Sequence, residues 1–200
     1  ELPGTSNLVL EVKEGPAYSF AFDMDNYGSE FTGPIHYNFS ANVGNLFKLG
    51  DQFSLRVIQS DFTQSLIAPS FVYPINNYGT TIKLSYSRSK QSLGKELVAL
   101  YAEGNSDSFT SEISHPLYRS RLGQLKINGG YSIRESRNFQ LGDPSRRDNL
   151  RVFHISLGGN YTDRFRGRTF AELKFNQGIS DSNENLPLRS RARAKGNIFR

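Results

Sequence analysis

The chain has 200 residues, a net charge of +5, 36% hydrophobic side chains and no cysteine. The lack of cysteine excludes a disulfide-stapled fold and thiolate-ligated zinc or iron–sulfur sites, and the 12% aromatic content excludes a disordered tail. The longest uncharged run, 62–82, contains Pro69, Pro74 and Gly79, so it cannot form a membrane-spanning helix. Frequent aromatics with a mean hydropathy of −0.51 indicate a β-rich chain.

The two ends of the sequence are interpreted as the ends of a segment. The chain begins at Glu1 without a signal peptide and ends at Arg200 inside an alternating pattern, so we expect a piece of a longer mature protein. Near the start, the apolar residues Leu8, Leu10 and Val12 alternate with other residues up to a break at Gly15 and Pro16. This pattern predicts one strand of a soluble domain over residues 1–16.

Alternation of apolar and polar side chains predicts about ten strands of roughly 8–12 residues in the rest of the chain. In the first, Tyr18, Phe20, Phe22 and Met24 alternate with Ser19, Ala21 and Asp23. The clearest patterns cover 18–24, 35–43, 80–88, 125–133, 151–161 and 169–175. Weaker patterns cover 53–60, 66–75, 109–118 and 191–200.

Two all-β architectures produce such alternation, a half-solvated soluble sheet and a membrane barrel with one face to lipid and one to a wet lumen. Strand length favours the barrel, because tilted spanning strands need about 9–11 residues and soluble strands have about 5–6. Aromatic residues near the strand ends favour it too, as in the interface girdles of outer-membrane barrels. These are Tyr18, Tyr37, Tyr73, Tyr86, Tyr118, Tyr131 and Tyr161. The predicted fold is therefore an antiparallel transmembrane β-barrel, with a soluble β-domain as the alternative.

The connections between strands are of two kinds. Short turns are predicted at 76–79, 119–124 and 163–166, and longer polar loops at 89–107, 136–149 and 178–190. Outer-membrane barrels have short periplasmic turns and long extracellular loops. We therefore expect an outer-membrane location. The N-terminus would lie on the periplasmic side, and the chain would enter the first strand from there.

The polar strand positions are the candidate functional surface. In a membrane barrel they would line the wet lumen. The alternative is that they only satisfy one another in ion pairs and hydrogen bonds. The candidate lumen-facing residues are His36, Asn38, Arg56, Lys83, Lys126, Arg134, His154, Arg168 and Lys174.

Charge is unevenly distributed along the chain. Residues 1–60 contain seven acidic and three basic side chains, a net charge of −4. The remaining residues therefore carry +9, which gives the total of +5. The basic stretch 189–200 alternates Arg and Lys with Ala and Gly, which is typical of a strand with one basic face, and we expect no nucleic-acid partner. Basic loops in an outer membrane would instead meet lipopolysaccharide. No phosphate loop, nucleophile elbow or metal-ligating histidine pair is present, so no nucleotide, cofactor, metal or catalytic site is predicted.

Several ordered segments resemble a known family. They are Leu8–Gly15, Asp25-Asn26-Tyr27-Gly28, Phe31-Thr32-Gly33, Leu46-Phe47-Lys48-Leu49-Gly50-Asp51, Ala102-Glu103-Gly104, Pro116-Leu117-Tyr118-Arg119-Ser120 and Gly129-Gly130-Tyr131. Each segment is weak alone, but in this order they resemble the TpsB transporters of two-partner secretion, the ShlB/FhaC/HecB group, over nearly the whole chain.

The resemblance implies a sixteen-stranded barrel preceded by two polypeptide-transport-associated (POTRA) domains. It implies export, with or without activation, of a large partner exoprotein of the haemolysin or adhesin type (TpsA). Residues 1–16 would then be the end of a POTRA domain and residues 17–200 the first part of the barrel. The family's Val-Arg-Gly-Tyr/Phe signature would fall in the other barrel half, so no residue here carries that role.

Three alternatives remain open. The chain could belong to a plain porin or to a barrel assembly factor. It could also belong to a lipase-like barrel enzyme that uses Ser156 or Ser40 with His36 or His154. The enzyme is disfavoured because those residues are predicted to face the lumen, whereas such an enzyme would place its catalytic triad outward near the lipid.

Overall fold

The computed structural model describes residues 15–61, 64–92, 94, 102–141, 143–179 and 197–199. They form ten antiparallel strands in a single sheet, and each strand pairs with the next in chain order. Among the described strands, β1 and β10 each pair on one side only. The strands are β1 (Tyr18–Asp25), β2 (His36–Gly44), β3 (Gln52–Ser60), β4 (Gln64–Pro74), β5 (Thr81–Ser92), β6 (Glu103–Arg119), β7 (Gly123–Gln140), β8 (Asp143–Thr162), β9 (Arg168–Ile179) and β10 (Asn197–Phe199).

The sheet has two chemically distinct faces because residues paired across strands point to the same side. Phe22 pairs with Phe39, Phe39 with Val57, and Val57 with Ile67, so large apolar side chains form one continuous face. We call this the apolar face. Its further members include Leu84, Phe109, Tyr131, Phe153, Leu157 and Leu173. The opposite side, rich in Ser, Asn and charged residues, is the polar face.

No second layer of described residues covers the apolar face. Ala41, which is 7% exposed, is the one buried hydrophobic side chain in the described part of the chain. Tyr18, Phe20, Phe22 and Met24 are 61–67% exposed. A soluble domain rarely exposes a contiguous apolar surface of this extent, so the alternative of a soluble β-domain does not account for this sheet. Among the described residues there is no helix long and apolar enough to cross a membrane.

We call the end of the sheet with the connections β2–β3, β4–β5, β6–β7 and β8–β9 the turn end. Each of these connections is closed by a side chain that accepts hydrogen bonds from backbone amides, which is the usual role of Asp, Asn and Ser in turns. Asp51 accepts from Phe47 N, Asn76 from Tyr78 N and Thr80 N, Ser120 from Leu122 N and Gly123 N, and Asp163 from Phe165 N and Gly167 N. The predicted short turns at 76–79, 119–124 and 163–166 are all at this end.

The opposite end, the loop end, corrects the sequence prediction. Residues 136–149 were expected to form a long loop, but β7 continues to Gln140 and β8 resumes at Asp143. Likewise, β5 and β6 extend well into the expected loop 89–107. Strands β6 to β8 therefore have 17–20 residues and exceed the expected length.

The extensions contain polar residues on both faces, which is why alternation did not reveal them. Ion pairs within and between the strands replace apolar packing there. On β7 and β8, Glu135 Oε1 accepts hydrogen bonds from Arg137 Nη2 at 2.7 Å and from Arg147 Nη2 at 2.9 Å. These pairs lie beyond the apolar residues, and the hydrogen bonds from Arg137 and then Arg147 lower the pKa of the Glu135 carboxyl. Arg88, Asp107 and Tyr86 form a similar group on β5 and β6.

The remaining predictions differ in outcome. All the predicted strands from residue 18 to residue 175 are present in the predicted order. The predicted strand 191–200 coincides with β10 only at 197–199, and its other residues lie outside the described part of the chain. The predicted strand around Leu8 and residues 180–190 of the expected loop 178–190 also lie outside it, while β9 extends to Ile179.

Candidate functional site

All nine residues predicted to line a lumen lie on the polar face, as their registers demonstrate. His36 and Asn38 on β2 share the face of Arg56 on β3, and Lys83 on β5 is opposite Glu112 of β6. On β7 to β9, the register places Lys126, Arg134, His154, Arg168 and Lys174 on the same side. The period-two reasoning therefore assigned every one of these side chains to a common surface.

The most extended side-chain contact on this surface is a histidine–carboxylate pair that spans three strands. His154 Nε2 on β8 lies 3.2 Å from Glu112 Oε2 on β6, although β7 runs between them. The ring crosses β7 over Gly130, where an added Cβ would lie 2.6 Å from the His154 ring and 2.7 Å from Ser111 O. Any side chain at Gly130 would therefore displace the imidazole. His154 is only 6% exposed, although it lies on a polar surface.

Further polar groups surround this pair. Lys83 is directly opposite Glu112 in the register, and Lys174 is opposite Ser156, two residues along β8 from His154. Asn128 Nδ2 donates to Ser156 Oγ at 3.1 Å, which connects β7 to β8 one row closer to the turn end. The middle of the polar face is thus a cross-linked wall of hydrogen-bonded and charged groups.

A second polar cluster lies at the loop end of β1 to β3. His36 Nδ1 is 3.3 Å from Asp25 Oδ1, and Asn38 Nδ2 donates to Asp25 Oδ2 at 3.4 Å. Beside them, Ser60 Oγ donates to Thr32 O at 2.7 Å, and Ser60 is 0% exposed. The connection from β1 to β2 therefore folds onto the polar face, and Gly33, at φ +103°, allows the approach to Ser60.

The predicted residues do not converge on one pocket. Arg56 is opposite Ser40 and Ala68, and Arg134 is opposite Ser108 and Leu150, well away from the His154 pair. Within the described ranges, no group of three or more His, Asp or Glu side chains is placed to hold a metal ion. The candidate residues are therefore distributed along the polar face and do not form one compact site.

The serines and histidines of the enzyme alternative are not assembled into a catalytic unit. Ser156 Oγ accepts from Asn128, and His154 contacts Glu112. His36 contacts Asp25. Among the hydrogen bonds between described residues, none joins Ser40 or Ser156 to a histidine. A nucleophilic serine needs a base within hydrogen-bonding reach, so this structure gives the lipase interpretation no support.

Sequence reasoning missed the partners of the two histidines. Glu112 is 42 residues before His154, and Asp25 is separated from His36 by a whole connection. Alternation assigns a residue to a face but not to a neighbour, because that requires the register of the strands. The adjacent glycines at 129 and 130 were the one local signal, since a glycine within a strand often marks a close approach.

The family is identified by a model match over nearly the whole chain. Residues 4–194 match the model of the haemolysin secretion/activation protein ShlB/FhaC/HecB family. The chain belongs to this family. The resemblance read from the ordered segments is thereby confirmed.

Two curated relatives agree with this assignment. The chain is 25% identical over 171 residues to the outer membrane transporter CdiB of Dickeya dadantii (strain 3937), which covers 82% of the chain and 30% of the relative. It is 26% identical over 196 residues to the outer membrane transporter CdiB-2 of Burkholderia pseudomallei (strain 1026b), covering 90% of the chain and 32% of the relative. The predicted outer-membrane location agrees with both names. The chain spans about a third of the length of these relatives.

Solved structures share the fold at lower identity. CdiB from Escherichia coli matches with a TM-score of 0.72 at 20% identity, covering 84% of this chain and 32% of that chain. CdiB from Acinetobacter baumannii matches with a TM-score of 0.63 at 18% identity, covering 81% and 31%. BamA from Haemophilus ducreyi matches with a TM-score of 0.53 at 14% identity, covering 84% and 35%. The predicted fold class, a partial antiparallel barrel, is confirmed.

Proposed function

We propose that this chain forms part of the wall of an outer-membrane pore that exports a large partner exoprotein in two-partner secretion. The observation that carries the proposal is the inverted packing of the sheet: apolar side chains are exposed on one face, and the polar side chains contact one another on the other. Lipid would cover the first face and water the second. Membership of the ShlB/FhaC/HecB family supports the direction of transport and the nature of the cargo.

In this proposal the nine candidate residues line the lumen. A wall of Asn, Ser, Lys and Arg side chains offers hydrogen bonds and charge to an extended polypeptide without a pocket that retains it. The spread of Arg56, Arg134 and Lys174 over separate strands supports this role. Transport of this kind needs no cofactor and no nucleotide, and no catalytic step is assigned to the chain.

The orientation and the domain limits are part of the same proposal. Residues 1–16 would be the end of a POTRA domain and 17–200 the first part of the barrel, with the turn end on the periplasmic side. The turn end has only compact connections, at 45–51, 75–80, 120–122 and 163–167, whereas the loop end has the longer 26–35 connection and the polar extensions of β5 to β8. This difference supports the orientation, because barrels of this kind have short periplasmic turns and larger extracellular segments.

Lipopolysaccharide is the proposed lipid partner at the loop end. The apolar face continues there into the charged pairs formed by Arg88, Arg137 and Arg147 with Asp107 and Glu135. Arginines at this level would lie near the phosphate groups of the outer leaflet, to which guanidinium groups bind well.

The secretion experiment compares the culture medium of cells with and without the transporter that contains this chain. We expect one large secreted protein to disappear on deletion and to return on complementation, while the other outer-membrane barrels keep their abundance. A general loss of barrels would instead indicate an assembly factor. An unchanged medium would contradict the export function.

A further inference from the structure

The turn end of β6 to β9 contains a concentration of arginines, of which Arg168 alone is among the nine proposed lumen-lining residues. Arg119 ends β6 and Arg121 lies in the β6–β7 turn, whereas Arg164 and Arg166 lie in the β8–β9 turn and Arg168 begins β9. A hydrogen bond of 2.6 Å from Thr162 N, at the end of β8, to Leu122 O joins the two regions. Five positive side chains therefore lie in or directly beside two neighbouring turns.

Three of these arginines surround one cavity. Arg119, Arg121 and Arg168 line a space of about 260 Å³, together with Gln124, Asn160 and Phe170. Arg119 is opposite Gln124, Gln124 is opposite Asn160, and Asn160 is opposite Phe170, so one row across four strands forms the floor of the cavity. This row lies on the polar face, away from the side that lipid would cover.

The charge of this cavity is not compensated within the described part of the chain. None of the ion pairs between described residues includes Arg119, Arg121 or Arg168. Asp163, the acid of the β8–β9 turn, accepts hydrogen bonds from two backbone amides through its Oδ1 atom. Glu172 lies one row further from the turn, opposite Gly158. Grouped guanidinium groups repel one another, and an anionic ligand would relieve that repulsion.

We propose that this cavity binds acidic stretches of the exported polypeptide where it enters the pore. Guanidinium groups bind carboxylates with paired hydrogen bonds, which suits Asp and Glu side chains. The amides of Gln124 and Asn160 offer both donors and acceptors to an extended backbone. Phe170, which is 72% exposed on the polar face, adds an apolar contact. The proposal rests on the proposed export function, because a polypeptide must pass along this face.

The binding test uses the complete transporter that contains this chain, purified in detergent. The probe is a fluorescein-labelled peptide of alternating Glu and Ser, and its neutral counterpart has Gln in place of Glu. The cavity variant is Arg119→Gln/Arg168→Gln. The matched control is Arg164→Gln/Arg166→Gln, which removes the same charge from the same end of the sheet but outside the cavity lining.

Fluorescence anisotropy should show that the Glu peptide binds the unmodified transporter more tightly than the Gln peptide, and that added salt weakens binding. The cavity variant should lose roughly tenfold in affinity, as expected for charged hydrogen bonds, and the control should change less than about twofold. Equal losses in both variants would indicate a general positive field and overturn the proposal, as would equal binding of the two peptides. Peptide binding that is unchanged in the cavity variant would overturn the proposal too. If the cavity variant also lost co-purified anionic phospholipid, the cavity would be a lipid site instead.

Export of the partner exoprotein is measured in the same cells. If the unmodified transporter exports and both double variants export equally well, with unchanged peptide affinity, the cavity inference is wrong and the export function stands. If the unmodified transporter exports nothing, the export function itself is wrong.

Discussion

The two faces of the sheet use the same backbone and follow opposite packing rules. On the polar face, side chains reach across strands to one another, as His154 does over Gly130 to Glu112. On the apolar face, large side chains such as Phe22 and Leu173 extend outward and remain exposed. In a soluble protein the apolar groups would be buried and the polar groups solvated. The difference implies that the surrounding medium on the apolar side is lipid.

The largest expected difference between the two faces comes from placing one charge on each face at neighbouring positions. Leu84 and Ser85 are adjacent on β5 and point to opposite sides. We expect Leu84→Arg to destabilise the folded transporter by about 2–4 kcal/mol, because a charge facing the middle of the bilayer is poorly solvated. Ser85→Arg should be close to neutral. Samples that have not been boiled separate the folded from the unfolded transporter on a gel. The measurement is the urea concentration at which half of the folded form is lost.

Equal tolerance of arginine at both positions would contradict the assignment of the faces. Reduced expression of both variants would be resolved by the conservative pair Leu84→Gln and Ser85→Gln, for which the same order of effects is expected. In either pair, a larger effect at Ser85 would mean that the faces are reversed.

The adjacent glycines of β7 compare the packing of the two faces directly, because Gly129 lies on the apolar face and Gly130 on the polar face. A Cβ at Gly130 would lie 2.6 Å from the His154 ring, whereas a Cβ at Gly129 on the apolar face meets nothing within 4 Å. We expect Gly130→Ala to destabilise the protein by about 1–3 kcal/mol through overpacking, and Gly129→Ala to be neutral or slightly stabilising. Thermal unfolding of the two variants, followed by circular dichroism, distinguishes them. The account fails at this point if Gly130→Ala proves as stable as Gly129→Ala.

The smallest expected difference concerns the two glutamates that contact basic side chains. Glu112 on the polar face contacts the nearly buried His154, and Glu135 contacts Arg137 and Arg147, whose side chains are 50–51% exposed. We expect Glu135→Gln to change stability by less than about 1 kcal/mol, because exposed ion pairs contribute little. Glu112→Gln should cost up to about 1.5 kcal/mol, since a partly buried hydrogen bond is weakened. Urea titration at low and high salt measures both, and a larger effect at Glu135 would contradict this ranking.

Much of the fold followed from the sequence because alternation is a local signal. The pattern from Tyr18 to Met24 and the corresponding patterns elsewhere located the strands and assigned His36, Lys83 and Lys174 to one face. The long hairpin of β7 and β8 was missed, because near Glu135 and Arg147 both faces are polar and no alternation remains to be detected. There, the side-chain contacts are ion pairs, and only the register shows which residues form them.

The contacts that organise the polar face could not be predicted in the same way. Glu112 and His154 meet across an intervening strand, and the arginine cavity forms because Thr162 N bonds to Leu122 O between two separate turns. The histidine–glutamate contact and the cavity both depend on the order and register of strands that are distant in sequence. Composition did indicate the basic character of the later part of the chain, but not that Arg119 and Arg168 line one space.

The central claim, that the polar face is wet and the apolar face is in lipid, is tested most directly by cysteine accessibility. This chain has no cysteine of its own, so single substitutions can be introduced in the complete transporter once any other cysteines are replaced. We expect a hydrophilic maleimide to label Lys83→Cys and Lys126→Cys, whose native side chains are exposed on the polar face, and to leave the neighbouring Leu84→Cys and Ile127→Cys unlabelled in intact outer membranes. Equal labelling of neighbours, or labelling of the apolar positions alone, would contradict this claim.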